Sequence, residues 1–441
     1  MKRTRPASPE LPRWPRANRP QLIRQRQEHL RALPHWGASH HQVLEWPVPA
    51  DTLARFLECL TGHMVLPVGV VGPLVLNLGT YMLDESGAVC EEGRRDDRVF
   101  VPLAHTEGGL SASVQRGISA TAFAGGVRTR VLADRMTRDS CFVFRTTEEA
   151  VALARWVTTQ RAAMVEWLTD PTNPLRSGAA AAPVEGPAGG LALVSAHAVL
   201  REVETHVLGP MCHLLYRFTT GDACGANMIT RNAYALNQGF ILTRFPRDTG
   251  VTPLRVFLET NMGGDKKPSH AFFQFPGHGK VVLAEATVPG TVLRRVLRVS
   301  AEDIVALEHA GLHGAHASGM QSFAFTPASA IAAIFAATGQ DLGMVGTSSM
   351  AQAAATRLGD DLHLSVRFSG LEVGTVGGGT GLPHARAYLQ LMDCFGAGKV
   401  YRFAQIVAAT ALCLELSAAA SMASAGSQNF LQAHLERGGL R

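Results

Sequence analysis

Residues 362–369 alternate without a break: Leu362, Leu364, Val366 and Phe368 are apolar, and His363, Ser365, Arg367 and Ser369 are polar. Successive side chains of a strand point to opposite faces, so a period of two predicts a strand with one face in a core. The segment 279–289, GKVVLAEATVP, predicts a second strand, and 211–221, MCHLLYRFTTG, is an apolar run of the same type. From 68 to 138 short apolar runs alternate with glycine turns, and 84–98, DESGAVCEEGRRDDR, predicts a charged hairpin tip. A helical period takes over within 141–168, where a strand leads into a helix. Thr146 and Glu149 have capping-box spacing, and Val151, Leu153, Trp156, Val157, Met164, Val165 and Leu168 form its apolar stripe. Further helical patterns cover 195–207 and 290–300, and a small-residue helix within 329–341 ends at Gly339, leaving Asp341 just beyond. Strand, helix, helix, strand across about 139–258 predicts a small α+β domain inserted in a larger one.

The run 404–426 is apolar enough to suggest a membrane span. Its Ala and Ser content suits close helix packing, and Glu415 near its middle would be costly at bilayer depth, so a buried core helix is expected.

Composition changes this picture little. With 441 residues the chain can build one large domain with an inserted smaller one, and a net charge of +5 suits an anionic small ligand but does not imply nucleic acid. Much of the excess is arginine within 1–34, broken by prolines. It reads as a tail running into a short helix over 21–33. The seven cysteines are scattered with no C-x-x-C pair, and no apolar leader opens the chain, which fits a reduced cytoplasm. No metal site is expected. The segment 170–190, DPTNPLRSGAAAAPVEGPAGG, is of low complexity and predicts a loop.

Four stretches carry candidate chemistry. Glycines entering a helix at 374–380, GTVGGGT, either present backbone N–H groups to an anion or make a tight turn that needs small residues. In 220–227, TGDACGAN, Asp222 either accepts ribose hydroxyls, with Asn227 reaching an amide, or forms an Asx-type turn. Glu107, in HTEGGLSAS, is either a solvated loop charge or a buried acid. In 261–270, NMGGDKKPSH, Lys266 and Lys267 are either surface charge or cations aimed by a loop that Gly263, Gly264 and Pro268 fix.

Taken together, LPVGVVGPL, HTEGGLSAS, RVLADRMTR, GDACGAN, DKKP, GQD and GTVGGGT resemble, in order, the catalytic part of the hydroxymethylglutaryl-coenzyme A reductase family, over about 58–437. The "TEG" and "DKKP" forms look more like the eukaryotic and archaeal class than the second bacterial class. The resemblance implies an α+β fold: a large acyl-coenzyme A-binding domain around a central helix, with an inserted, ferredoxin-like, dinucleotide-binding domain. The expected layout is a tail and short helix at 1–49, the large domain at 50–139 and 258–441, and the small domain at 140–257. It also implies NADPH-dependent reduction of the acyl thioester to mevalonate and free coenzyme A. NADH stays open, since 195–198 shows no arginine for the extra phosphate. Implied partners are the acyl-coenzyme A and a second copy in a homodimer or higher oligomer, with no nucleic acid and no membrane anchor.

By resemblance, Lys266 stabilises the thioester oxygen. Asp341 sits between it and Glu107, and Glu107 is the general acid. Lys267 and Arg138 face the distal carboxylate of the acyl group. Asp222, Asn227, Gly377, Gly378 and Gly379 contact the dinucleotide. The chain departs from the family pattern in places. Leu431 stands where a histidine is expected; either His434, one helical turn later, replaces it, or no acid is needed and His434 is an idle surface histidine. Glu259 replaces a serine, so it needs Arg138 to neutralise it. Ser329 replaces an asparagine, and a lysine is missing around Ala310, where His309, His313 and His316 lie instead. These departures leave two alternatives: a reductase retuned to another acyl thioester, or a non-catalytic binder of coenzyme A or dinucleotide.

Overall fold

The structure is a computed structural model that describes residues 19–31, 49–83, 89–177, 193–274 and 276–438. Most of the basic tail, the turn of the first hairpin and most of the low-complexity segment lie outside the described residues. The chain divides into two compact units, Met1–Pro67 and Val68–Arg441. In the first, the short helix Pro20–Arg31 buries Ile23, and the Gln27 amide donates to the Thr61 carbonyl at 2.9 Å.

The second unit is mixed helix and sheet. Its strands are β1 (Val68–Leu83), β2 (Val89–Ala104), β3 (Val127–Val143), β4 (Val199–Leu208), β5 (Met211–Thr219), β6 (Arg255–Leu258), β7 (Gly279–Val288), β8 (Ala351–Leu358) and β9 (Asp361–Leu371). One path runs β2-β1-β3-β7-β9-β8, while β5 and β6 branch from β3 and β4 pairs with β5. The long β3 serves both ends. Its first half pairs with β1 and β7, and its second half pairs with β5 and β6. Two apolar cores follow from this. One lies between the main sheet and the helices Leu110–Phe123, Pro327–Thr338 and Val400–Ala423. The other lies under β3, β4 and β5 and is closed by the helix Thr147–Thr169 and the residues around Phe240 and Phe245.

Burial follows the alternation read from the sequence: Leu362, Leu364, Val366 and Phe368 are buried on β9. Thr146 caps the helix Thr147–Thr169, accepting from the Glu149 N–H at 3.3 Å, but Glu149 reaches back to the Arg145 N–H rather than to Thr146. Two expectations need correction. The helical pattern at 195–207 is instead strand from Val199 on, because β4 pairs residue by residue with β5, with Leu200 buried and Val203 and Val207 partly so. Residues 89–98 are paired strand of the first hairpin rather than part of a tip.

The helix Val400–Ala423 is the one described helix long and apolar enough to cross a bilayer, and 83% of its apolar window is buried in the protein. Small residues let its neighbour come close. A Cβ at Gly117 would fall 1.9 Å from the Cys413 carbonyl oxygen. Glu415 is buried because its carboxylate caps another helix. It accepts from the Phe325 N–H at 2.7 Å, the Thr326 N–H at 2.9 Å and the Thr326 hydroxyl at 2.7 Å, at the start of Pro327–Thr338. Burial raises its pKa.

Candidate active site

The loop that carries the lysine pair is tied down at several points. The Thr260 N–H and hydroxyl both donate to buried Asp139, and the Thr137 hydroxyl donates to the Gly263 carbonyl at 2.6 Å. Gly264, at φ +69°, lies under the Phe272 ring, where a Cβ would come within 2.5 Å. Lys266 itself takes a left-handed φ of 56°. The turn aims its ammonium at Asp341, with Nζ 2.7 Å from Oδ2 and both side chains about half exposed. Asp341 Oδ1 accepts from the Gly343 N–H at 2.9 Å, which sets the carboxylate's angle. The hydrogen bond with Asp341 holds the Lys266 pKa above its usual value, so the amine stays cationic.

Around this pair the glycine motifs meet backbone to backbone. A Cβ at Gly374 would lie 2.7 Å from the Cys224 nitrogen, and one at Gly379 would lie 2.4 Å from the Gly339 carbonyl oxygen. The Gln340 side chain accepts from the Gly374 N–H at 2.9 Å, and the Thr375 N–H donates to the Asp222 carbonyl at 2.8 Å. Thus TGDACGAN, GQD and GTVGGGT form one patch. Within it Gly377 and Gly378 have φ of 75° and 52°, are exposed, and face open space where a Cβ would meet nothing. Asn227 is exposed in the first turn of the helix Ala226–Ala235.

Other expected residues are placed differently. The Asp222 carboxylate accepts from the N–H groups of Gly398 (2.8 Å), Lys399 (2.9 Å) and Val400 (3.1 Å). Its hydrogen bonding goes to the start of the helix Val400–Ala423, which it caps. Arg138 is buried, and its Nη1 lies 2.9 Å from Glu259 and 3.2 Å from Asp265. Arg138 is therefore shared between two carboxylates through the same nitrogen, so the charge of Glu259 is offset only in part. Glu259 also accepts from the Asn261 N–H at 2.9 Å, bracing the loop's entry. Lys267 is exposed and donates to the Asp265 carbonyl at 3.1 Å.

Glu107 is exposed just before the helix Leu110–Phe123, and among the described contacts of one chain nothing joins it to Lys266 or Asp341. His434 lies on the exposed terminal helix Gln428–Gly438, where its Nδ1 donates to the Phe430 carbonyl at 2.8 Å. Leu431 is 60% exposed. His309 and His313 stand one turn apart with their Nε2 atoms 3.3 Å from each other. Among the described residues no group of three or more His, Cys, Asp or Glu is arranged to hold a metal.

Sequence reasoning missed a buried polar cluster behind the loop: Asp134, Thr137, His278, Lys280 and Glu372. Lys280 lies 3.6 Å from Asp134, and His278 lies 3.3 Å from Glu372. The signal was present, since Lys280 and Glu372 interrupt apolar strand ends, but nothing local shows that they converge.

An ammonium fixed against a carboxylate, beside an open backbone patch on an α+β frame, suits an enzyme that polarises a carbonyl next to a large anionic ligand. The sequence profile described as Hydroxymethylglutaryl-coenzyme A reductase matches residues 22–438. The 3-hydroxy-3-methylglutaryl-coenzyme A reductase of Aeropyrum pernix is 35% identical over 399 residues, covering 89% of this chain and 84% of that protein. The one from Pyrococcus abyssi is 34% identical over 385 residues, covering 85% and 83%. A solved structure, the class II 3-hydroxy-3-methylglutaryl-CoA reductase of Streptococcus pneumoniae bound to NADPH, shares the fold at a TM-score of 0.60 and 16% identity, covering 91% of this chain and 97% of that one. The chain belongs to the hydroxymethylglutaryl-coenzyme A reductase family, a family of oxidoreductases.

Proposed function

We propose that this protein reduces 3-hydroxy-3-methylglutaryl-coenzyme A to mevalonate and coenzyme A with two NADPH in succession. The observation that carries the reading is the Lys266–Asp341 pair, 2.7 Å apart on a braced loop beside the glycine patch. NADPH supplies the hydride equivalents when bound. The exposed backbone at Gly377 and Gly378 fits its phosphates, since a side chain there would occupy that space, with Gly379 and Asn227 at the edge of the same patch. Lys266 stabilises the negative charge that builds on the thioester oxygen, and Asp341 keeps the amine protonated. Glu107 protonates the oxygen of the aldehyde stage. It reaches the pair when two copies associate, so the working unit is at least a dimer. His434 has Nδ1 tied to its own helix, which leaves Nε2 to protonate the departing thiolate. With a thiol pKa of about 8.5, that step is worth only on the order of 1–2 kcal/mol near neutral pH.

Purified protein should oxidise two NADPH for each coenzyme A released. Lys266→Ala should lower kcat by about 10²–10³-fold, the scale set by loss of one oxyanion donor. An unchanged rate in that variant would overturn the assignment.

Retuning to another acyl thioester is favoured by one observation: Arg138 is already met by Glu259 and Asp265. A panel of acyl-coenzyme A substrates decides it, and a clear preference for the hydroxymethylglutaryl thioester ends it.

A further inference from the structure

The lysine loop is held from behind by His278, which is 1% exposed. Its ring stacks on Phe272 at 4.5 Å and 10°, and Phe272 covers Gly264. Its Nδ1 lies 2.6 Å from the Thr137 hydroxyl oxygen. That hydroxyl has one proton, and it goes to the Gly263 carbonyl, which can only accept. The hydrogen between Thr137 and His278 must therefore come from Nδ1. The other ring nitrogen, Nε2, lies 3.3 Å from Glu372 Oε1, and the carboxylate is buried as well. A neutral ring protonated at Nδ1 would present a lone pair at Nε2 to an ionised carboxylate in a buried site. Such a contact is repulsive, and it would leave Nε2 buried without a partner.

We infer that His278 and Glu372 share one proton along Nε2–Oε1, as imidazolium with carboxylate or imidazole with carboxylic acid, and that this neutral pair positions the loop that carries Lys266. Either form removes the repulsion across the 3.3 Å gap, where Nε2 and Oε1 stand at ion-pair distance without a hydrogen bond of good angle. Glu372 is fixed in turn by the Thr347 hydroxyl, and its own N–H donates to Ser348 at 3.1 Å. Thr347 also lies 3.0 Å from the Met344 carbonyl. The pair therefore links the lysine loop to the segment 341–348 that carries Asp341, placing both halves of the charged pair on one support. His278 and Glu372 touch no substrate; they act through the loop. Cys224 packs nearby as a neutral thiol, its pKa pushed up to about 12 by burial first and by Glu372 next. The functional half of this inference rests on the reductase reading above, whereas the proton sharing does not.

A glutamine at 372 tests it, because its amide can donate one hydrogen to Nε2 and the other to Thr347, whose proton then goes to Met344. Glu372→Gln reproduces a neutral pair with no titratable proton, while Glu372→Ala and His278→Phe break the chain; the phenylalanine keeps the stack on Phe272. Two readouts on the purified full-length variants are needed: steady-state NADPH oxidation, and hydrogen–deuterium exchange of the segment 260–269. Glu372→Ala and His278→Phe should lose kcat by about tenfold or more, with the KM for NADPH within about twofold, and the segment should exchange faster. Glu372→Gln should recover most of both. Should His278→Phe fail to fold, the contrast between the two Glu372 variants decides alone. A Glu372→Gln variant as impaired as Glu372→Ala would overturn the shared proton. Unchanged exchange and rate in Glu372→Ala would overturn the positioning role. A wild-type protein that does not turn over the thioester, yet shows the expected exchange pattern, would sink the reductase reading and leave the pair standing.

Discussion

Glu259→Ser is the substitution for which structure yields the sharpest quantitative expectation. Arg138 Nη1 faces two carboxylates, Glu259 at 2.9 Å and Asp265 at 3.2 Å, so the three groups sum to one net negative charge. A ligand carboxylate about 6 Å from Glu259 would feel roughly 2.8 kcal/mol of repulsion at an effective dielectric of about 20. The Glu259 side chain is 20% exposed, so salt and solvent cut this, to about 1 kcal/mol. Removing that charge should lower the KM for a thioester with a distal carboxylate by about fivefold, since 1.4 kcal/mol is tenfold.

Stability moves the other way. Losing one partner of a fully buried pair costs about 3–5 kcal/mol, but Arg138 keeps Asp265 and Glu259 is partly solvated, so about 1–2 kcal/mol is expected. The hydrogen bond to the Asn261 N–H is lost too, while the strain of a side chain at φ 71° remains for serine. Thermal melts should therefore fall by a few degrees while KM improves. Steady-state kinetics with the hydroxymethylglutaryl thioester, beside one that lacks the carboxylate, separate the effects; the second substrate should show no gain. A KM that is unchanged or raised for the first substrate, in a folded variant, would refute the electrostatic reasoning.

Three further outcomes follow from the site. Asp341→Asn removes the hydrogen bond that raises the Lys266 pKa, so the amine loses its proton at lower pH. A raised folded pKa stabilises below the unfolded value and is lost as pH climbs through the folded one. The alkaline limb of the pH–rate profile should therefore shift to lower pH, with little change in melting because both groups are half exposed. Asp222→Ala removes the cap from the central helix, for about 1–2 kcal/mol of stability and a higher KM for NADPH, checked by melting and dinucleotide titration. Mixing refolded Glu107→Ala and Lys266→Ala chains should restore activity if Glu107 acts on the partner's lysine; a mixture as inactive as its parents would place both groups in one chain.

What the sequence made legible divides by the range of the forces involved. The alternation on β9, the capped helix after Thr146 and the glycine stop at Gly339 are local patterns, and each appears where the pattern places it. The stretch at 195–207 misled because its apolar residues fit either period, and pairing with β5 decided in favour of a strand. The Lys266–Asp341 contact was legible only through the order of the motifs. Two features were beyond reach. The capture of Arg138 by Asp265 depends on where a turn directs one side chain. The convergence of His278, Glu372 and Thr137 brings together three strand ends or turns that no short window contains.

The site combines two kinds of construction, which bear on substrate choice differently. The patch of 220–227, 339–341 and 374–380 is built by backbone meeting backbone at Gly339, Gly374 and Gly379, positions where any Cβ would collide with a main-chain atom. Nothing there can drift by substituting a side chain, so the spacing between Asp341 and the exposed glycines Gly377 and Gly378 is fixed by backbone packing. On the reading proposed above, the acyl end is built from side chains: Arg138, Glu259, Asp265 and Lys267. Thr137, Asp139 and Phe272 hold the loop from the other side, so a change in these charges leaves most of its anchors in place, the Glu259–Asn261 brace excepted. A chain made this way can change the acyl group it accepts while keeping the carbonyl chemistry. The departure at Glu259 falls in the adjustable part, and Lys266 with Asp341 in the fixed one.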